Sequence, residues 1–183
     1  ARLPLFADFL QHGVDADRKT KDLPSIRMWL EYFQKAHITG LDISDFSWFQ
    51  NERFSFVRCD MDTRPAIEQA TADLPIMDII LDDASHASHH QQNAFLTLFP
   101  KLRSGGIYIV EDLRWHPPAY EKEGITKTAA LFQSYQQNRE FAHVDQDVAD
   151  EFNGLRKDIS GCFVFQVRYQ KQRRDQVVVV HKR

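Results

Sequence analysis

Glycine is scarce in this sequence. Seven occur in 183 residues, where an average usage of about 7% would place a dozen or so. No two of them have the G-x-G spacing of a phosphate-cradling loop, which excludes a glycine-rich nucleotide fingerprint. Cysteine is nearly absent: Cys59 and Cys162 stand alone, which excludes a disulfide scaffold or zinc ribbon and predicts a reduced, cytoplasmic setting. No apolar run approaches the roughly 18 residues of a membrane span, and ARLPLFADFLQHG at the start has neither the basic opening nor the cleavage site of a secretory signal. Neither charge dominates. The 23 Lys and Arg against 26 Asp and Glu leave a formal net charge of −3, so nothing electrostatic predicts a nucleic-acid or membrane partner. Repeats, low-complexity tracts and Ser/Gly linkers are also missing, and the length suits a single domain over residues 1–183. What is present is a globular composition, 43% hydrophobic and 27% charged, with 14 phenylalanines placed mostly in apolar stripes as core.

The middle of the chain alternates helix and strand signals. SIRMWLEYFQKA (25–36) carries Ile26, Trp29, Leu30 and Phe33 at helical spacing, with Pro24 at a helix-start position. HITGLDI (37–43) and FSFVRCD (54–60) are β-rich and close on Asp42 and Asp60, and TRPAIEQATA reads as a short helix. MDIILDD (77–83) is a near-continuous apolar run capped by two acids, as expected of a strand buried on both faces. Residues 86–102 predict a helix, Gly105 and Gly106 turn the chain, and IYIVED (107–112) is a second buried strand. A helical stretch around 126–135 follows, and CFVFQVRY (162–169) and QVVVV (176–180), joined by the charged turn KQRR, end the chain. The alternation predicts an α/β fold: a doubly wound, mostly parallel sheet with a C-terminal antiparallel hairpin on its edge. Ligands of such sheets bind outside the carboxyl ends of the strands. Asp42, Asp60, Asp82-Asp83 and Glu111-Asp112 stand there.

DDASH (82–86) followed by Glu111-Asp112 is the strongest constellation. If the strands carrying them are neighbours, about 4.8 Å apart, carboxylates from both converge on one point. Crowded carboxylates repel, and a hard divalent cation such as Mg²⁺ relieves that while keeping waters for a substrate to displace. His86 then stands beside the metal as a candidate general base. The competing explanation is that Asp82 or Asp83 and Ser85 cap the following helix and that Glu111-Asp112 are solvated turn residues. His86, His89 and His90, spaced i, i+3 and i+4, suit a zinc site, but no fourth ligand is spaced for one, and the spacing reads as exposed histidines near a helix start.

LDDASH…FLTLFPKLRSGGIYIVEDL, with IRMWLEYFQKAHITGLDIS before it, resembles class I S-adenosylmethionine-dependent methyltransferases. Within them it is most similar to the Mg²⁺-dependent sugar O-methyltransferases of macrolide biosynthesis and to related rhamnosyl O-methyltransferase and cephalosporin-hydroxylase-like proteins. The resemblance covers roughly residues 25–113 and implies a Rossmann-like fold. It makes Asp83, Glu111 and Asp112 the Mg²⁺ ligands and His86 the general base. It places Asp42 on the ribose hydroxyls of S-adenosylmethionine, Asp60 and Met61 beside the adenine, and Asp82 among the cofactor contacts. The implied partner is a small-molecule or glycoside acceptor, and a homo-oligomer is compatible with it.

Three departures from the family pattern stand out. Ala84 replaces the glycine of D-D-G-S-H, and Arg114-Trp115-His116 replaces T-S-Y after E-D-L, in the segment that should face the acceptor. Residues 1–24 read as an N-terminal helix and an atypical cofactor-loop region, because charged residues crowd 11–24 where the family has a first strand and a glycine-rich loop. The sheet nevertheless needs a strand between those ending at Asp42 and Asp83. Either such a strand lies in a stretch missing between Val14 and Ser25, or other residues supply it. Loss of the loop keeps two alternatives open, a degenerate binding protein without catalysis and a metal-dependent hydrolase.

Overall fold

The computed structural model describes residues 3–9, 23–168 and 174–183. Seven strands, β1 (Leu3–Phe9), β2 (Ala36–Asp42), β3 (Phe54–Arg58), β4 (Met77–Asp82), β5 (Leu102–Val110), β6 (Ile159–Arg168) and β7 (Arg174–Lys182), form one sheet in the order β3-β2-β1-β4-β5-β7-β6. The first five are parallel, whereas β7 runs antiparallel to both β5 and β6. The expected doubly wound sheet with a C-terminal hairpin is therefore present.

The central slot is filled from an unexpected place. β1 pairs with β2 on one side and β4 on the other, so the reading of an N-terminal helix is corrected. LPLFADF is another near-continuous apolar run, the pattern of a strand covered on both faces, and Pro4 falls near its start, where a missing N–H is tolerated. No strand between Val14 and Ser25 is needed to close the sheet. Most of the expected atypical cofactor-loop region (11–24) and most of the KQRR turn lie outside the described residues.

Helices cover both faces. On one, α1 (Pro24–Tyr32) buries Ile26 and Leu30 against Ile38 and Leu81. Arg53 closes its C-terminal end by donating to the carbonyls of Leu30 at 2.8 Å and Phe33 at 2.9 Å, which satisfies acceptors that a helix end leaves open. On the other face, α2 (Arg64–Ala70), α3 (Ser88–Leu98), α4 (Thr128–Asn138) and α5 (Gln146–Gly154) pack on Ile80, Tyr108, Val110 and Val178. The α5 helix is absent from the sequence reading. The core on this face is aromatic, with Phe95 stacked on Phe99 at 4.7 Å and edge-on to Tyr108 and Phe132 at 5.0 Å each.

Two element boundaries also move. α3 starts at Ser88 rather than at residue 86 and hands over to a 3-10 turn, Phe99–Lys101. β5 starts at Leu102, and its register against β4 slips between Met77 and Ile79. Gly106 sits at that slip, where a Cβ would lie 2.9 Å from the Arg103 carbonyl and 3.0 Å from that of Asp78. The glycine pair thus makes a bulge inside a strand, not a turn before one.

Candidate active site

β4 and β5 end together. Asp82, the last residue of β4, is in register with Val110, the last of β5, and the Glu111 N–H donates to the Asp82 carbonyl at 3.0 Å. Asp83 and Glu111 therefore leave neighbouring strand ends side by side. Beyond each end the backbone enters the left-handed region, at His86 (φ 59°) and Asp112 (φ 51°). His and Asp are among the residue types that tolerate this, at a cost on the order of 1–3 kcal/mol each. These two turns bring Asp83, His86 and Asp112 together, with one ligand atom from each lying within 4.8 Å of the others. His86 Nε2 is 3.6 Å from Asp112 Oδ2.

The helix-cap explanation for the acids is not met. α3 has Ala87 as its N-cap with no side-chain cap bond, and the Ser88 N–H donates instead to Glu121 at 2.7 Å, a residue from the segment after β5. That segment also covers His86, which is fully buried. The Trp115 ring meets the imidazole edge-on at 5.3 Å, and His116 Nδ1 donates to the His86 carbonyl at 3.0 Å. Burial pushes the His86 imidazole down to about 4, with Asp175 pulling in the opposite direction, so the ring is neutral near pH 7.

Asp175 was not singled out from the sequence, where it sits in a charged hairpin. It is brought to the site because β7 inserts against β5 and the Leu113 N–H donates to the Gln176 carbonyl at 3.0 Å. Burial, then a hydrogen bond to Asp112, raises its carboxyl. Glu111 stands outside the tight group of three, yet burial and the charges of Asp112 and Asp175 raise it as well. Carboxyls held back from ionising by burial and by one another's charge are a donor set suited to a hard divalent cation.

The expected cofactor residues line the same rim. Asp42, at the end of β2, is buried, and its Oδ1 accepts the Ser44 N–H at 2.6 Å. Asp60 is exposed and accepts the Asp62 N–H at 3.0 Å in a similar turn, while Met61 packs into the core. Asp82 is fully buried, and burial raises its carboxyl to about 7. Between pH 3.8 and about 7 the folded protein keeps this proton while the unfolded chain loses it, so folding stability falls as pH rises through that window. The full difference is on the order of 4 kcal/mol. Asp82→Asn, neutral at every pH, is expected to melt higher than the parent protein at pH 8 without added ligands and to flatten the dependence between pH 4 and 7. An unaltered pH dependence of the melting temperature would remove Asp82 as its source.

The three histidines do not share one face. His86 joins the acids, whereas His89 and His90 are buried, not exposed as expected, and both point at Asp62.

No protein-family profile matches the chain. Among characterised proteins it is 40% identical over 90 residues to the 8-demethyl-8-alpha-L-rhamnosyl tetracenomycin-C 2'-O-methyltransferase of Streptomyces olivaceus, a match spanning 49% of this chain and 24% of that protein. It is 38% identical over 89 residues to the demethylmacrocin O-methyltransferase of Streptomyces fradiae, spanning 49% and 22%. The matched stretch is thus about a quarter of the length of these relatives. Among solved structures, the MycE methyltransferase from the mycinamycin biosynthetic pathway, in complex with Mg, SAH and mycinamycin VI, superposes with a TM-score of 0.68 at 22% identity, covering 98% of this chain and 44% of that one. The fold is that of class I S-adenosylmethionine-dependent methyltransferases.

Proposed function

We propose that this chain carries the methyl-transfer site of an S-adenosylmethionine-dependent, Mg²⁺-assisted O-methyltransferase acting on a sugar hydroxyl of a glycosylated natural product. The observation that carries the reading is the convergence of Asp83, His86 and Asp112 at the carboxyl ends of β4 and β5. Sequence similarity to the rhamnosyl and macrolide sugar enzymes supports the substrate class.

Asp83, Glu111 and Asp112 would hold the Mg²⁺, which when bound supplies a Lewis acid that orients acceptor hydroxyls and stabilises the oxyanion. Asp42, Asp60, Met61 and Asp82 would hold S-adenosylmethionine, which supplies an electrophilic methyl group. His86 takes the acceptor proton at Nε2, and the carboxylates of Asp112 and Asp175 stabilise the imidazolium that results. Trp115 shields one side of that ring from water. The acceptor's approach is therefore through the partly exposed Asp83 and Asp112.

Methyl transfer from labelled S-adenosylmethionine to a panel of rhamnosylated and macrolide glycosides tests the reading. Activity is expected to need Mg²⁺ and to vanish with EDTA, and Asp112→Asn is expected to lower it by about 10²-fold or more at saturating Mg²⁺. Labelling that persists undiminished in EDTA would refute the metal-assisted mechanism.

A further inference from the structure

A second cluster of ligating side chains stands apart from the acidic centre. His89 and His90, in the first turn of α3, turn their Nε2 atoms toward one carboxylate oxygen, Asp62 Oδ1, at 2.9 and 3.4 Å. One ligand atom from each of the three lies within 4.8 Å of the others. Two bonds of about 2.0–2.1 Å at a tetrahedral angle place ligand atoms about 3.3 Å apart, so this spacing is already close to that of a coordinated ion.

We propose that Asp62, His89 and His90 form a transition-metal site for a Zn²⁺-class ion, distinct from the oxygen-rich Mg²⁺ site. Two imidazole nitrogens and one carboxylate suit Zn²⁺, Co²⁺ or Ni²⁺, whereas Mg²⁺ demands oxygen ligands. The histidines are more than nine-tenths buried, and burial together with the neighbouring His89 favours the neutral, ligating form of His90. Ser85 Oγ lies 2.6 Å from His90 Nδ1, holding the ring by its far nitrogen as the outer partners of metal-bound histidines do. The Asp62 side chain is 56% exposed, which leaves the remaining coordination positions to water. Asp60, Lys122 and the Tyr120 ring also face the cluster. Asn93 donates to the Met61 and Asp62 carbonyls at 3.3 and 2.8 Å from the same helix. A bound ion would therefore lock the loop after β3 onto α3 and hold Met61 in the core.

Titration of the metal-free protein with Zn²⁺ and with Co²⁺ tests this site. Saturable binding of one equivalent is expected at the cluster, with a rise in melting temperature and a visible Co²⁺ absorption band that Mg²⁺ does not displace. Asp62→Asn and His89→Gln are each expected to weaken that Zn²⁺ binding by about tenfold or more, whereas Asp112→Asn leaves it unchanged. Because Asp62 lies at the surface, its variant decides the matter even if His89→Gln fails to fold. No saturable Zn²⁺ or Co²⁺ binding would overturn the proposal, as would binding that survives Asp62→Asn and disappears in Asp112→Asn.

Discussion

His86→Ala is expected to lower methyl-transfer turnover by about 10²–10⁴-fold while the affinity for S-adenosylmethionine stays within about twofold. A sugar hydroxyl is a poor nucleophile until its proton leaves. In the proposed mechanism the buried, neutral His86 is the base that receives it, with Asp175 and Asp112 beside the ring to favour its protonated form. Its left-handed backbone and the Trp115 edge hold the ring in one orientation, so the side chain is already positioned when the acceptor arrives. Alanine keeps the acids and the strand ends but leaves the proton without a receiver. Single-turnover rates with His86→Ala and His86→Gln, alongside their melting temperatures, separate loss of the base from loss of fold. Turnover equal to that of the parent protein would remove His86 from the mechanism.

Phe95→Ala is expected to cost about 3–5 kcal/mol of folding stability, read as a shift of the urea midpoint. Phe95 lies at the centre of the aromatic core, fully buried, with Phe99, Tyr108, Phe132 and Phe152 within 4.7–5.5 Å centroid to centroid. These rings come from helices and from β5, so the cavity would loosen α3 against the sheet rather than one local contact. The consequence reaches the site, because α3 starts two residues after His86 and carries His89 and His90. With a domain's whole stability at about 5–15 kcal/mol, the variant is expected to be partly unfolded at 37 °C. A loss below about 1 kcal/mol would show that this core can collapse around the gap.

Where apolar runs ended in acids, the sequence made the fold legible. MDIILDD, IYIVED and HITGLDI became β4, β5 and β2 because parallel strands covered on both faces read as near-continuous apolar runs, with the acids gathered where they reach the rim. LPLFADF has the same apolar pattern, but a long charged stretch separates it from α1, so its place between β2 and β4 is set only by long-range pairing. The backbone turns that aim His86 and Asp112 left no trace in propensity, since neither residue is a glycine. Asp175 and Asp62 were illegible for a different reason. Each reaches its partners only through long-range placement, Asp175 through the insertion of β7 beside β5 and Asp62 through the packing of the loop after β3 against α3. Histidines that look exposed by spacing were buried because almost every residue of α3 is covered by its neighbours.

Calorimetric titration with S-adenosylmethionine and its demethylated product tests the central claim most directly, since a methyl-transfer site at this rim must hold the donor before any acceptor is chosen. The account predicts saturable binding of one equivalent of each ligand, weakened by about tenfold or more in Asp42→Asn, which would remove the proposed ribose contact at the end of β2. The absence of saturable binding by either ligand to the folded protein would contradict it.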